Sequence, residues 1–260
     1  MKVVILCGGR GTRLQEETEW RPKPLIDVGG RPILWHIMKR YAHYGFTEFV
    51  LCLGYKGEQI KQYFLNYQAM QRDLTVRLGA PMRVEYHGNH LEDGWTVTLA
   101  ETGPAAMTGA RIKRIAPYLQ DEPEFMLTYG DGLADIDLRA LAAFHRRHGK
   151  MGTVTGVRPP SRFGELLADQ ERVVEFSEKP QASQAFINGG FFVLNRRFLD
   201  YLSDEDGCIL EREPLEAVAR DGQLMIYRHE GFWQCMDTPR DLRLLEQLWN
   251  SGQAPWKSWG

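Results

Sequence analysis

Apolar positions in the first half of the chain follow two spacings in turn. Short apolar runs rich in β-branched residues, such as Val3–Cys7 and Glu48–Leu53, predict strands that are buried on both faces. After Pro32, the apolar residues Ile33, Ile37 and Tyr41 recur every four positions, which predicts an amphipathic helix. Because strands and helices alternate, we expect an α/β fold with a mainly parallel sheet and helices on both of its faces.

The same two spacings continue through the rest of the chain. They predict strands at Met82–Tyr86, Trp95–Leu99, Phe125–Tyr129, Thr153–Val157, Gly164–Leu167, Val173–Glu178, Phe191–Leu194 and Leu224–Tyr227. They predict helices through Ile60–Tyr67, Ile112–Leu119, Leu138–His148, Arg212–Arg220 and Thr238–Trp249. On the helix that ends at His148, Arg146 and Arg147 separate the two histidines, so we expect an exposed face there. No Pro/Gly/Ser-rich linker or internal repeat interrupts the pattern, so we expect one domain over residues 1–260.

Composition excludes several classes of protein. The 260 residues are 43% hydrophobic and 25% charged, which is ordinary for a globular chain and unlike a disordered one. Thirty-two Lys and Arg face 34 Asp and Glu, a formal net charge of -2, so the basic excess of a nucleic-acid-binding protein is missing. No apolar stretch approaches the roughly 20 residues of a membrane helix. We therefore expect neither nucleic acid nor a membrane as a partner.

The four cysteines bear on the cellular compartment. None of Cys7, Cys52, Cys208 and Cys235 belongs to a C-x-x-C pair, and two of them lie inside predicted strands. Buried free thiols are typical of a reducing environment. We therefore expect a cytoplasmic protein.

A glycine-rich loop follows the first predicted strand, where open α/β sheets bind ligands. Gly8, Gly9 and Gly11 allow backbone N–H groups to approach phosphate oxygens, and Thr12 and Arg13 add a hydroxyl and a cation. The loop matches neither a Walker A motif nor a G-x-G-x-x-G fingerprint. On the glycines alone a tight turn explains the loop about as well, but the cationic end favours phosphate binding.

Two lysines are held beside prolines. Lys23 lies between Pro22 and Pro24, and Lys179 follows Glu178 at a strand end and precedes Pro180. Proline restricts the neighbouring backbone, so each pattern indicates a pre-positioned cation. The alternative for either lysine alone is a solvated side chain in a Pro-rich turn. Glu178 and, shortly afterwards, Asn188 offer the acceptor and mixed donor–acceptor groups that grip sugar hydroxyls.

Two carboxylates also follow apolar strands. Asp131 comes after Tyr129-Gly130, and Asp237 comes after Phe232–Met236. Such carboxylates beside a phosphate-binding loop indicate Mg²⁺, which takes one or two carboxylates plus phosphate oxygens. The alternative for Asp237 is that it caps the last helix together with Thr238.

These motifs occur together and in order, and the chain thereby resembles the sugar-1-phosphate nucleotidylyltransferases. Within that family it is similar to the glucose-1-phosphate cytidylyltransferases, on the basis of further segments spread over nearly the whole chain: Trp35–Met38, Gly54–Gly57, Val97–Leu99, Thr102-Gly103, Met107–Gly109, Thr128–Gly132, Ile187–Asn195, Phe232–Gln234, Met236–Thr238 and Ala254–Lys257. The stretch Gln15–Glu19 lacks the proline of many relatives, which fits that branch.

The resemblance implies a Rossmann-like mixed sheet with helices on both faces. It implies a nucleotide-binding part up to about residue 135, followed by a sugar-phosphate-binding part and a C-terminal helix. Family roles would assign the nucleotide to Leu6, Gly8, Gly9, Gly11, Thr12, Arg13, Lys23, Thr102 and Gly103. They would assign catalytic neutralisation of phosphate charge to Arg13, Lys23 and Lys179. The sugar phosphate would contact Tyr129, Gly130, Glu178, Lys179 and Asn188, and Mg²⁺ would be bound by Asp131 and Asp237.

The implied reaction converts CTP and α-D-glucose 1-phosphate into CDP-glucose and pyrophosphate, in a homo-oligomer that by resemblance is a hexamer. The resemblance also implies a place in the synthesis of deoxysugars for surface polysaccharides such as the O-antigen. One alternative is the same chemistry with dTTP, UTP or GTP or with another sugar 1-phosphate. The other alternative is a non-catalytic nucleotide-sugar-binding homologue, which predicts loss of Arg13, Lys23, Asp131 or Asp237; all four are present.

Overall fold

The protein is described by a computed structural model for residues 1–88, 92–158, 165–169, 172–177 and 186–259. Its strands, in chain order, are β1 (Val3–Leu6), β2 (Asp27–Val28), β3 (Arg31–Pro32), β4 (Glu48–Leu53), β5 (Asp73–Arg77), β6 (Arg83–His87), β7 (Thr96–Glu101), β8 (Glu124–Tyr129), β9 (Gly132–Ala134), β10 (Gly152–Val157), β11 (Glu165–Asp169), β12 (Arg172–Ser177), β13 (Ile187–Asn188), β14 (Phe192–Asn195), β15 (Leu224–His229) and β16 (Trp233–Cys235). Its α-helices are α1 (Gln15–Thr18), α2 (Ile33–His43), α3 (Gly57–Leu65), α4 (Tyr67–Gln71), α5 (Thr108–Arg114), α6 (Leu138–His148), α7 (Glu213–Arg220) and α8 (Pro239–Asn250). Short 3₁₀ turns lie at Thr12–Leu14, Lys23–Leu25, Ala116–Leu119 and Arg196–Tyr201.

Eight of these strands form one mixed, mainly parallel sheet, as predicted. β1 pairs in parallel with β4 on one side and β8 on the other, and β7 extends the sheet beyond β4. β14 lies between β8 and β10 and is antiparallel to both. β10 also pairs with β13 in antiparallel and with β15 in parallel orientation. The chain thus builds outward from β1 to β7 before crossing to β8 on the other side of β1. Such a reversal opens a crevice at the carboxyl ends of β1 and β8.

Both faces of the sheet are covered by helices. Because successive side chains of a strand point to opposite faces, each central strand contributes to an apolar cluster on both faces. In β1, Val3 and Ile5 pack into one apolar cluster with α2, α6, α8 and the fully buried Trp256. Val4 and Leu6 pack into the other cluster, with α5, α7 and the turn at Arg196–Tyr201. The predicted stripe on α2 is confirmed, since Ile33, Ile37 and Tyr41 are all buried. None of the described helices is long and apolar enough to cross a membrane.

The structure corrects three expectations about local elements. The predicted helix through Ile60–Tyr67 is two helices, α3 and α4, which meet at Asn66. The residues after α4 form a hairpin of β5 and β6, of which only the second strand is predicted. The expected exposed face of α6 is wrong at His145, because His145 and His148 both hydrogen-bond the Thr153 hydroxyl of β10, at 2.9 and 2.7 Å. Periodicity failed there because the polar histidines face a hydroxyl inside the protein.

Candidate active site

A pocket of about 260 Å³ opens where β1 and β8 end. Its lining contains many of the predicted site residues, namely Leu6, Gly9, Gly11, Thr12, Arg13, Lys23, Tyr129, Gly130, Asp131 and Asp237, and also Cys7 and Pro24. Gly130 is required at this junction, since a Cβ there would lie 2.8 Å from the Leu6 carbonyl oxygen. The close approach of β1 and β8 therefore puts the glycine-rich loop beside the strand end that carries Asp131.

A small two-stranded sheet brings the two carboxylates together. β9 follows Asp131 and pairs with β16, which precedes Asp237, so that Gly132 lies opposite Cys235. The Met236 N–H donates to the Asp131 carbonyl oxygen at 2.8 Å. Because the backbone next to each aspartate is paired with the backbone next to the other, Asp131 and Asp237 lie side by side.

Lys23 lies between the two carboxylates. Its Nζ donates to Asp131 Oδ2 at 2.6 Å and to Asp237 Oδ1 at 2.7 Å, and Arg13 donates to Asp237 Oδ2 at 2.7 Å. Burial alone would lower the pKa of Lys23, but the two aspartates outweigh it and raise that pKa above its ordinary value. Burial would likewise raise the pKa of Asp237, but Lys23 and Arg13 lower it. Lys23 and Asp237 are therefore ionised at neutral pH.

Local backbone structure explains how Lys23 reaches this position. Pro22 is extended and immediately precedes the 3₁₀ turn Lys23–Leu25, which the Leu25 N–H closes by donating to the Pro22 carbonyl at 2.8 Å. Pro24 is buried within that turn. The pattern of prolines on both sides of the lysine therefore gives a pre-positioned cation, and the alternative of a solvated side chain is wrong for Lys23.

The carboxylate pair has the chemistry of a magnesium site. Two carboxylate oxygens, one each from Asp131 and Asp237, converge on a single cationic atom. Oxygen donors in that number suit Mg²⁺, which completes its shell with substrate phosphates and water. The described residues hold no group of three or more metal-ligating side chains, so the substrate would have to supply the remaining ligands. The residues thus fit the predicted ion.

The N-cap of α8 is Thr238, not Asp237. The Thr238 hydroxyl accepts from the Asp241 N–H, and the Asp241 carboxylate accepts in return from the Thr238 N–H at 2.8 Å, a capping box. This pair takes over the capping function, so Asp237 is free to bind the two cations. The capping alternative for Asp237 is therefore wrong.

Arg111 on α5 lies beneath the glycine-rich loop, and sequence reasoning missed it. Its buried guanidinium donates to the carbonyl oxygens of Gly8, Leu53 and Gly103 and to the Thr102 hydroxyl, at 2.8 to 3.0 Å. These acceptors follow or end β1, β4 and β7, so one side chain joins three neighbouring strand ends. No motif in the sequence marks an arginine in the middle of a helix as such a brace.

The arginine also gives a second reason for glycine in the loop. A Cβ on Gly8 would lie 2.2 Å from the Arg111 guanidinium, and one on Gly54 would lie 2.4 Å from it. The Thr102 hydroxyl is buried and already donates to the Leu53 carbonyl at 2.6 Å. A contact of Thr102-Gly103 with a nucleotide base, implied by the resemblance, would therefore not use this hydroxyl as a donor.

Of the remaining predicted residues, one lies beside Tyr129 and two lie outside the described residues. Asn188 on β13 is joined to Tyr129, since its Nδ2 donates to the Tyr129 hydroxyl at 3.1 Å and its Oδ1 accepts from the Gly190 N–H at 2.9 Å. Both ends of the Asn188 amide are thus engaged within the protein. Glu178 and Lys179 lie outside the described residues, so their roles stay predictions.

Comparisons with known proteins show which family the chain belongs to. Residues 2–242 match the family model described as Nucleotidyl transferase. The chain is 51% identical, over 100% of both lengths, to the glucose-1-phosphate cytidylyltransferases of Salmonella typhi and Salmonella typhimurium. It is 31% identical to the mannose-1-phosphate guanylyltransferase catalytic subunit beta of Dictyostelium discoideum, over 93% of this chain and 62% of that one.

Solved structures agree on the fold. HddC from Yersinia pseudotuberculosis superimposes with a TM-score of 0.68, over 95% of this chain and 99% of that chain, at 21% identity. At that identity the likeness concerns the fold alone. The family match over most of the chain and the full-length identity to the Salmonella enzymes show that this protein belongs to the nucleotidyl transferase family.

Proposed function

We propose that the protein transfers the cytidylyl group of CTP to α-D-glucose 1-phosphate, giving CDP-glucose and pyrophosphate. The observation that carries the reaction class is the cluster of Arg13 and Lys23 with Asp131 and Asp237 in the pocket between β1 and β8. The choice of CTP and glucose 1-phosphate is supported by the 51% identity, over full length, to relatives with that name.

The proposed chemistry needs no general base. A phosphate monoester has a second pKa near 6, so the attacking oxygen of the sugar phosphate is already mostly ionised at neutral pH. Its in-line attack on the α-phosphorus breaks the bond to the leaving pyrophosphate. The obstacle is the repulsion between two anionic substrates, which is overcome by positioning and by neutralising charge.

The residues of the pocket supply both. Gly9, Gly11 and Thr12 line it and would bind phosphate oxygens through backbone N–H groups and a hydroxyl. Lys23 is largely buried and is paired with Asp131 and Asp237, whereas Arg13 is exposed and is paired with Asp237. With substrates bound, both cations would also contact phosphate oxygens. Asp131 and Asp237 would hold Mg²⁺, which when bound polarises phosphate oxygens. Lys179 would neutralise the sugar phosphate.

One assay tests the proposal. Pyrophosphate release is measured with CTP, dTTP, UTP and GTP in turn, each with glucose 1-phosphate and Mg²⁺. Turnover restricted to CTP supports it. Turnover with another nucleotide changes the substrate assignment, and no turnover with any of the four favours a non-catalytic nucleotide-sugar-binding homologue.

We also propose a homo-oligomer, a hexamer by resemblance. The hairpin of β5 and β6 and the nearby helices α3 and α4 expose a run of large apolar side chains: Leu65, Met70, Leu74, Val76, Leu78, Met82, Val84 and Tyr86. Exposed apolar groups in such number favour a protein–protein contact. Light scattering on the 29.9 kDa chain tests this, and a monomer at micromolar concentration contradicts it.

A further inference from the structure

The side chain of Tyr129 is held from three directions. Its hydroxyl donates to Glu211 Oε1 at 2.7 Å and accepts from Asn188 Nδ2 at 3.1 Å. Its ring lies against Gly190, where the backbone has φ of 76° and a Cβ would come within 3.0 Å of the ring. Phe192 packs edge-on to the ring at 6.1 Å between centroids. A side chain bonded and packed in this way keeps one orientation.

The proton of this hydroxyl belongs to the tyrosine. The phenol O–H donates to a carboxylate oxygen, a group that accepts hydrogen bonds. Glu211 is therefore the acceptor, and hydrogen bonds to a charged acceptor are stronger than those between neutral groups.

Glu211 is fixed in its turn. Its second oxygen, Oε2, accepts from the Thr108 hydroxyl at 2.7 Å, and that hydroxyl accepts from the Leu210 N–H at 2.9 Å. Thr108 is the first residue of α5, the helix that carries Arg111 beneath the glycine-rich loop. Glu211 is exposed to solvent, so its carboxylate lies at the surface beside Tyr129 rather than in the core.

The location of this cluster assigns it to one substrate. Asn188 reaches Tyr129 from β13, on the β14 and β10 side of the crevice, and Glu211 reaches it from the segment before α7. The glycine-rich loop and Arg111 lie on the opposite side, at the ends of β1, β4 and β7. We propose that Glu211 is a positioning residue for sugar-phosphate binding, which fixes the Tyr129 ring as the wall of the pocket that receives glucose 1-phosphate. This assignment rests on the proposed function.

The first test separates the Michaelis constants of the two substrates. Glu211→Ala removes the acceptor of the Tyr129 hydroxyl and leaves the Asn188 bond and the ring contacts, so the ring loses part of its order and must regain it each time the sugar phosphate binds. We expect KM for glucose 1-phosphate to rise about three- to tenfold, the typical cost of ordering one side chain. KM for CTP and kcat should change less than about twofold. Tyr129→Phe, which keeps the ring and loses only the hydroxyl, should give the same pattern.

The conservative variant and a nearby control sharpen this test. Glu211→Gln keeps an oxygen acceptor for Tyr129, so it should recover most of the affinity that Glu211→Ala loses. Glu213→Gln removes an exposed carboxylate two residues away and should leave both Michaelis constants unchanged. An unchanged KM for glucose 1-phosphate in Glu211→Ala, or an equal rise in both constants, would overturn the assignment.

A second readout does not depend on activity. Urea midpoints of the wild type, the two single variants Tyr129→Phe and Glu211→Ala, and the double variant form a mutant cycle. If Glu211 fixes Tyr129, the urea midpoint of the double variant is no lower than that of the less stable single variant. A double variant whose loss of stability equals the sum of the two single losses contradicts the contact. If the wild type makes no pyrophosphate, the proposed function fails, while the cycle still reports whether Glu211 holds Tyr129.

Discussion

Replacing Arg111 by methionine should destabilise the whole protein and damage nucleotide binding in particular. The substitution removes four hydrogen bonds from a charged donor. The Gly8 and Leu53 carbonyls keep other donors, the Tyr55 N–H for Gly8 and the Thr102 N–H and hydroxyl for Leu53, so no carbonyl there is left unsatisfied. At about 1 kcal/mol net for each hydrogen bond lost, we expect a total loss of about 4 kcal/mol.

The loss is large enough to measure and small enough to leave a folded protein. Domains are stable by about 5–15 kcal/mol, and with a urea m-value of about 3 kcal/mol/M the midpoint should fall by about 1.3 M. KM for CTP should rise more than KM for glucose 1-phosphate, because the brace holds the glycine-rich loop. Arg10→Met, at an exposed position in the same loop, is the control and should move the midpoint by less than about 0.3 M.

A double variant tests the physical cause. Gly8→Ala would place a Cβ 2.2 Å from the Arg111 guanidinium, so it should also destabilise the protein. In the Arg111→Met background that clash is with a flexible, uncharged side chain, so the same Gly8→Ala change should cost much less. The brace would be refuted if Gly8→Ala cost the same free energy of unfolding in both backgrounds. It would also be refuted if the urea midpoint of Arg111→Met lay within 0.3 M of the wild type, which is about 1 kcal/mol at that m-value.

Three further outcomes follow from the site and the core. Lys23→Met should lower kcat by at least about a thousandfold, because the cation between the carboxylates neutralises the reacting phosphates; turnover near wild type with an intact fold would contradict that role. EDTA should abolish turnover with added Mg²⁺ restoring it, and Asp131→Asn should raise the Mg²⁺ concentration for half-maximal rate; an unchanged value would remove Asp131 from the metal site. Burial lowers the pKa of His36 from 6.5 to about 4, so between these pH values the unfolded chain binds a proton that the folded chain does not bind. The contribution of neutral His36 to the free energy of unfolding, up to about 3 kcal/mol, should therefore be complete above pH 6.5 and be lost as the pH falls toward 4. In urea unfolding, the stability of His36→Gln should depend less steeply on pH than that of the wild type.

Local pattern predicted the elements well where one face or both faces of an element are apolar. The run Val3–Cys7 and the stripe of Ile33, Ile37 and Tyr41 were sufficient, because burial of apolar side chains determines both the element and its orientation. Pattern failed where polar groups are satisfied inside the protein, as at His145, or where apolar side chains face outward, as on β5. In both cases the side-chain environment is supplied by distant residues.

The sequence by itself determined the fold class and the types of residue in the site: a glycine-rich loop after a buried strand, a lysine between prolines, and two carboxylates after strands. These are short-range features, and backbone restriction and burial act over a few residues. Only the tertiary structure decided which groups meet. Lys23 contacts Asp131 across 108 positions and Asp237 across 214, because β8 lies beside β1 and β16 pairs with β9. Arg111 and Glu211 carry no motif at all, since their roles consist of hydrogen bonds to partners that only the folded sheet brings within reach.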